Sequence, residues 1–147
     1  MTINEHSHLR IVGIGASAGG LEAFEIFFRN LPDSAGLSVI VVQHLAPDNR
    51  SILPEILQRY TELPVTQIQE TTEIEANHVY VIPPNYDIGV KSNELHLFEP
   101  GAPRGFRLPV DFLFRSLAEN FGSQAVGIVL SGTGSDGTLG IKAIKGA

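Results

Sequence analysis

The sequence predicts an α/β domain built around a parallel sheet, and three observations carry that expectation. Short β-branched runs alternate with segments of helical periodicity, which is the signature of βαβ units. Residues 38–43 (SVIVVQ) are almost continuously apolar, as a central parallel strand buried on both faces requires. Glycine-rich loops at residues 13–20 and 131–137 each follow a predicted strand.

Taken in order, residues 9–14 read as the first strand. Leu21, Phe24, Phe27, Phe28 and Leu31 recur at three- and four-residue steps, so residues 19–31 read as an amphipathic helix, ended by Pro32 and Asp33. After the strand at 38–43, Ser51 offers an N-cap and Pro54 fits the first turn of a short helix running to about Tyr60. Residues 65–68 and 79–82 are short strands, and Pro83 and Pro84 break the chain. Residues 87–90 and 95–98 form a hairpin turning at Ser92 and Asn93. Pro109 opens a helix with Val110, Leu113, Phe114 and Leu117 on one face. Residues 125–130 (AVGIVL) are a further buried strand, and 138–144 begin a last helix. A helix there normally leads to another parallel strand. The chain of 147 residues therefore reads as one domain, 1–147, whose C-terminal part is missing.

Composition narrows the function. The net charge of −6 argues against a nucleic-acid partner, which needs a basic face to neutralise phosphates. No apolar run approaches a membrane span, and the first ten residues lack the apolar core of a signal peptide. The absence of cysteine excludes disulfides, thiolate metal sites and cysteine nucleophiles. A cytoplasmic soluble domain is the expected setting.

The candidate chemistry lies in three loops, each at the C-terminal end of a predicted parallel strand, where open α/β sheets bind ligands. In the first, Gly15-Ala16-Ser17-Ala18-Gly19 matches the G-x-S-x-G pattern of a nucleophile elbow. Glycines beside the serine allow a sharp turn, and N–H groups opening the next helix can hold an oxyanion. The same loop also begins like a dinucleotide-phosphate turn, with Gly13 and Gly15 as its first glycines. The second strand separates the two readings. A dinucleotide site wants an acidic residue at its end, whereas this strand runs into Gln43 and His44, and His44 suits a general base for Ser17. Four other histidines (His6, His8, His78, His96) show that placement, not residue type, singles it out. In the third loop, Asp136 is either the N-cap of the following helix or the carboxylate that orients His44, and both can hold together. Asp48 is nearer to His44 in sequence but follows Pro47, on the helix side of its loop.

The segments 13–23 (GIGASAGGLEA), 41–48 (VVQHLAPD), 78–85 (HVYVIPPN), 110–119 (VDFLFRSLAE) and 125–144 (AVGIVLSGTGSDGTLGIKAI) together resemble the CheB methylesterase family, over nearly the whole chain and in the family's order. The resemblance implies a doubly wound, mostly parallel sheet with helices on both faces, a three-layer sandwich. It implies hydrolysis of glutamyl γ-methyl esters on the cytoplasmic helices of chemoreceptors, with release of methanol, and in some members deamidation of receptor glutamines. The family serine falls on Ser17, its histidine on His44 and its aspartate on Asp136, with backbone donors at Ala18 and Thr133 for the oxyanion. No metal or organic cofactor is implied. Ala18 stands where chemotaxis enzymes often carry threonine, and Thr133 where many carry methionine. Both are similar to the subgroup found at the front of fusion proteins that also carry a receptor methyltransferase. Two other classes of function fit the same loops: a nucleotide-binding α/β module without hydrolytic activity, and a non-catalytic regulatory domain.

Overall fold

The computed structural model describes residues 9–16, 21–32, 34–43, 52–84, 86–99, 109–130 and 144–146. Its centre is a five-stranded sheet in the order β3-β5-β2-β1-β8, with every pairing parallel. The strands are β1 (Arg10–Ala16), β2 (Leu37–Gln43), β3 (Val65–Gln67), β5 (His78–Val81) and β8 (Ala125–Leu130). A second, antiparallel sheet takes the order β4-β7-β6, from β4 (Thr72–Glu73), β6 (Asp87–Lys91) and β7 (Glu94–Phe98).

Alternation along the strands feeds two cores. On one face Val12, Ile14 and Ala16 of β1 join Val39 and Val41 of β2 beneath α1 (Leu21–Arg29) and α2 (Leu53–Gln58), with Phe24, Phe28, Leu53 and Leu57 buried there. On the other face Ile11, Ile40 and Val42 meet α3 (Pro109–Phe121) through Val110, Leu113, Phe114 and Leu117. Each of those four helix side chains is fully buried, which contributes about 1.5–3 kcal/mol apiece. Helices thus cover both faces of a parallel sheet, as the sequence predicts. From β1 the chain winds to β2 on one side and returns through α3 to β8 on the other, so β1 sits at the reversal of strand order.

The small sheet lies against the far side of α3, whose polar side chains finish its edge. The Val90 N–H donates to Ser116 Oγ at 3.0 Å, and Ser116 Oγ donates to the Leu113 carbonyl at 3.0 Å. Asn120 Nδ2 donates to the Val90 carbonyl at 2.9 Å. Side chains from a helix therefore occupy backbone groups that an edge strand would otherwise expose. Ser116→Ala leaves the Val90 N–H without its acceptor and is expected to cost about 1–3 kcal/mol, read from the urea unfolding midpoint.

Several sequence expectations need correction. The first strand continues two residues past Ile14, to Ala16, so Gly13 and Gly15 lie inside it and not in the turn. The short helix is capped at Ile52, without a side-chain cap, rather than at Ser51, which lies outside the described residues. The strand at 125–130 has the predicted bounds but is not buried throughout: it is an edge, pairing with β1 alone among the described residues, and Val126 and Val129 are 44% and 40% exposed. Strand β4 is unforeseen, being two residues long and defined only by its pairing with Leu95 and Glu94. The hairpin turns where expected, with Ser92 and Asn93 both at positive φ (51° and 62°), the conformation of a two-residue turn that matches strand twist. Of the last predicted helix, only residues 144–146 are described, and these are helical.

Candidate active site

The registers of β1, β2 and β8 bring three strand ends together. Ala16 pairs with Gln43 on one side and with Leu130 on the other. Neighbouring strands are about 4.8 Å apart, so three segments leave the sheet within about 10 Å of one another. They leave at its C-terminal edge, around the strand where the winding reverses, which is the ligand-binding crevice of open α/β sheets. Ser17 follows Ala16 directly, His44 follows Gln43 directly, and Asp136 is six residues beyond Leu130.

Ser17, Ala18, His44, Thr133 and Asp136 lie outside the described residues, as does Asp48. What the structure describes is the platform from which these residues depart. Its close packing has a clear origin in β1. A Cβ on Gly15 would stand 2.5 and 2.6 Å from the two methyl groups of Val110, and one on Gly13 would stand 2.8 Å from Leu117 and 3.0 Å from Phe114. Both glycines let α3 settle directly on the β1 backbone. That is a packing requirement, so neither Gly13 nor Gly15 speaks for a turn at this strand end, whether a phosphate-binding turn or a nucleophile elbow.

The N-terminal turn of α3 reaches this same edge, since Val110 covers Gly15 one residue before the end of β1. It brings a carboxylate that no motif in the sequence marks. Asp111 is only 4% exposed and occupies the first helical turn, where partial positive charge on unpaired N–H groups favours an acid. An acidic residue between two core positions, Val110 and Leu113, was the available signal. Gln43, at the end of β2, is also buried. The edge is therefore polar on a frame that is otherwise apolar. Among the described residues no group of three or more His, Asp or Glu side chains could hold a metal ion. No described helix is long and apolar enough to cross a membrane.

Comparison with known proteins covers most of the chain. A family model described as CheB methylesterase matches residues 12–147. A putative protein-glutamate methylesterase/protein-glutamine glutaminase of Leptospira interrogans is 32% identical over 133 residues, which is 90% of this chain and 69% of that protein. Protein-glutamate methylesterase/protein-glutamine glutaminase 2 of Methanospirillum hungatei is 37% identical over 133 residues, and there the chain spans only 38% of the relative's length. Among solved structures, the CheB methylesterase catalytic domain of Thermotoga maritima superposes with a TM-score of 0.82 at 29% identity, over 92% of this chain and 74% of that one.

Proposed function

Because the chain belongs to the CheB methylesterase family, we propose that it is a protein-glutamate methylesterase, a carboxylic ester hydrolase that uses Ser17 as nucleophile. The observation that carries this reading is the pairing of Ala16 with both Gln43 and Leu130, immediately before the serine, histidine and aspartate loops. Ser17 attacks the γ-carbonyl of the glutamyl ester, His44 takes its proton and delivers it to the departing methanol, and Asp136 holds the imidazole in the required tautomer. A water that His44 deprotonates then attacks the acyl-enzyme, and the acyl bond to Ser17 breaks as His44 returns the proton to the serine oxygen, releasing the γ-carboxylate. Backbone N–H groups at Ala18 and Thr133 receive the developing oxyanion. The same steps with ammonia leaving in place of methanol give glutamine deamidation.

The substrate is a protein side chain, and the family points to the cytoplasmic helices of methylated chemoreceptors. The cell interior is then the place of action, and a receptor methyltransferase on the same longer polypeptide is a fitting neighbour. The domain itself is proposed to span 1–147 and to continue beyond it, in line with the greater length of the relatives.

Release of methanol from a protein bearing glutamyl γ-methyl esters tests the reading. Asp136→Asn is expected to lower kcat by about 10³–10⁴-fold, as loss of the correct histidine tautomer does in a serine triad. Asp48→Asn should stay close to the unmutated rate. The opposite pattern would move the orienting role to Asp48, and absence of methanol from a folded chain extended to the length of its relatives would remove the esterase reading.

A further inference from the structure

The hairpin carries an aromatic row that the core does not use. Ile88, Val90 and Leu95 turn inward, and the alternate face holds Gly89, His96 and Phe98. Phe112, from the first turns of α3, meets Phe98 at 5.3 Å between ring centroids with the planes at 60°. The His96 ring lies 6.4 Å from Phe98 and extends the row. A Cβ on Gly89 would stand 3.1 Å from the Phe112 ring and 3.2 Å from the Phe98 ring, so the two phenylalanines rest on bare backbone. Phe98 is nonetheless 43% exposed and Phe112 38%. Single exposed aromatics are common, whereas interlocked rings seated on a residue without a side chain form a surface.

The position of this surface matters. Phe112 is two residues along α3 from Val110, about 3 Å of helix axis, and Val110 packs on Gly15 at the end of β1. The row therefore flanks the sheet edge from which the serine and histidine loops depart. An extended peptide cannot add a strand at Val90, because Ser116 and Asn120 already engage its N–H and carbonyl. At that position a partner binds through its side chains, and an amphipathic helix is one such partner. Arg115, three residues on from Phe112 and on the same side of α3, is exposed and makes no ion pair among the described residues. In a chain of net charge −6 it gives this face a cation for a partner's carboxylates.

We infer that Phe98 and Phe112, continued by His96 and bordered by Arg115, form the docking surface for the protein substrate, an α-helix that lays apolar residues on the rings and directs carboxylates at Arg115. The inference rests on the esterase reading for the identity of that helix. The glutamyl ester is small and neutral, so discrimination among proteins has to come from the surface around the reacting group.

The probe is a fluorescein-labelled helical peptide with leucines at i, i+3, i+4 and i+7, flanking glutamates and one glutamyl γ-methyl ester. Its binding is measured by anisotropy on the Ser17→Ala chain, which does not turn it over. Phe98→Ala/Phe112→Ala is expected to weaken binding at least about tenfold, the scale of losing buried aromatic anchors. In the chain with Ser17 intact the pair should raise KM for the peptide, while hydrolysis of N-acetylglutamate γ-methyl ester is unchanged. Arg115→Glu should weaken binding further at low salt and less at high salt. The inference is overturned if the peptide does not bind, if the double substitution leaves its affinity unchanged, or if the small ester suffers the same loss. Dissociation of a dimer by the double substitution also overturns it, giving the surface to a second copy. Failure of the esterase reading shows separately, as no hydrolysis of the small ester by a chain that still binds the peptide through the rings.

Discussion

Replacing Ser17 with alanine is expected to lower kcat for glutamyl methyl ester hydrolysis by about 10⁴–10⁶-fold, the scale on which a serine triad fails without its nucleophile. The physical reason is that the residual site can still stabilise an oxyanion but has no group to form the acyl bond. KM for the ester should change little, because the hydroxyl contributes to the transition state and hardly to ground-state binding. Combining Ser17→Ala with His44→Ala should cost almost nothing more, since residues that act as a unit are strongly non-additive. Additive losses in the double variant would mean that His44 does not serve Ser17. Steady-state methanol release from the three variants gives the comparison.

A large effect on stability is expected at Gly15. An added methyl group would lie 2.5–2.6 Å from both Val110 methyls, inside any permissible contact, and Val110 is a fully buried branched side chain on a helix that also covers Gly13. Either α3 moves off β1 or the strand bends. Gly15→Ala should therefore cost about 1–3 kcal/mol by overpacking, and lower Tm by about 3–12 °C. Val110→Ala makes room for the new methyl. The pair should show a favourable coupling of about 0.5–3 kcal/mol, whereas an additive double variant would mean that the clash is not the cause. Because β1 ends at Ala16, the same substitution should also depress activity beyond its effect on the folded fraction.

How much of this was legible in the sequence differs by feature. Strand β8 was read with its true bounds, because AVGIVL is an apolar run closed by a glutamine before and a serine-glycine loop after. The core face of α3 was equally plain: Val110, Leu113, Phe114 and Leu117 follow helical spacing and all four are buried. Less accessible was the exposure of β8, since burial depends on what lies beside a strand and not on its own residues. Strand β4 carries no local signal, because two residues acquire strand character only through a partner elsewhere. Gly15 misleads for a related reason. A glycine in a glycine-rich stretch suggests a turn, and only the tertiary contact with Val110 reveals that it serves close packing.

The site shows the same division. Motif spacing marks Ser17, His44 and Asp136 as candidates, but the adjacency of the strand ends that precede them needs the sheet order and register, which no local pattern encodes. Asp111 carries no distinctive signal, because an aspartate near a helix start reads first as a favourable end charge. The aromatic row was invisible for a further reason. It joins a hairpin residue to a helix residue across Gly89, and neither Phe98 nor Phe112 is unusual alone.

Whether Ser17 is an activated nucleophile is decided by labelling with a fluorophosphonate probe followed by tryptic mass spectrometry. Cleavage after Arg10 and Arg29 isolates Ser17 on one peptide, residues 11–29. A single stoichiometric adduct is expected on Ser17, lost in the unfolded chain and strongly diminished in His44→Ala. A folded chain that hydrolyses the ester with Ser17 unlabelled, or a label that is indifferent to His44, would contradict an activated Ser17.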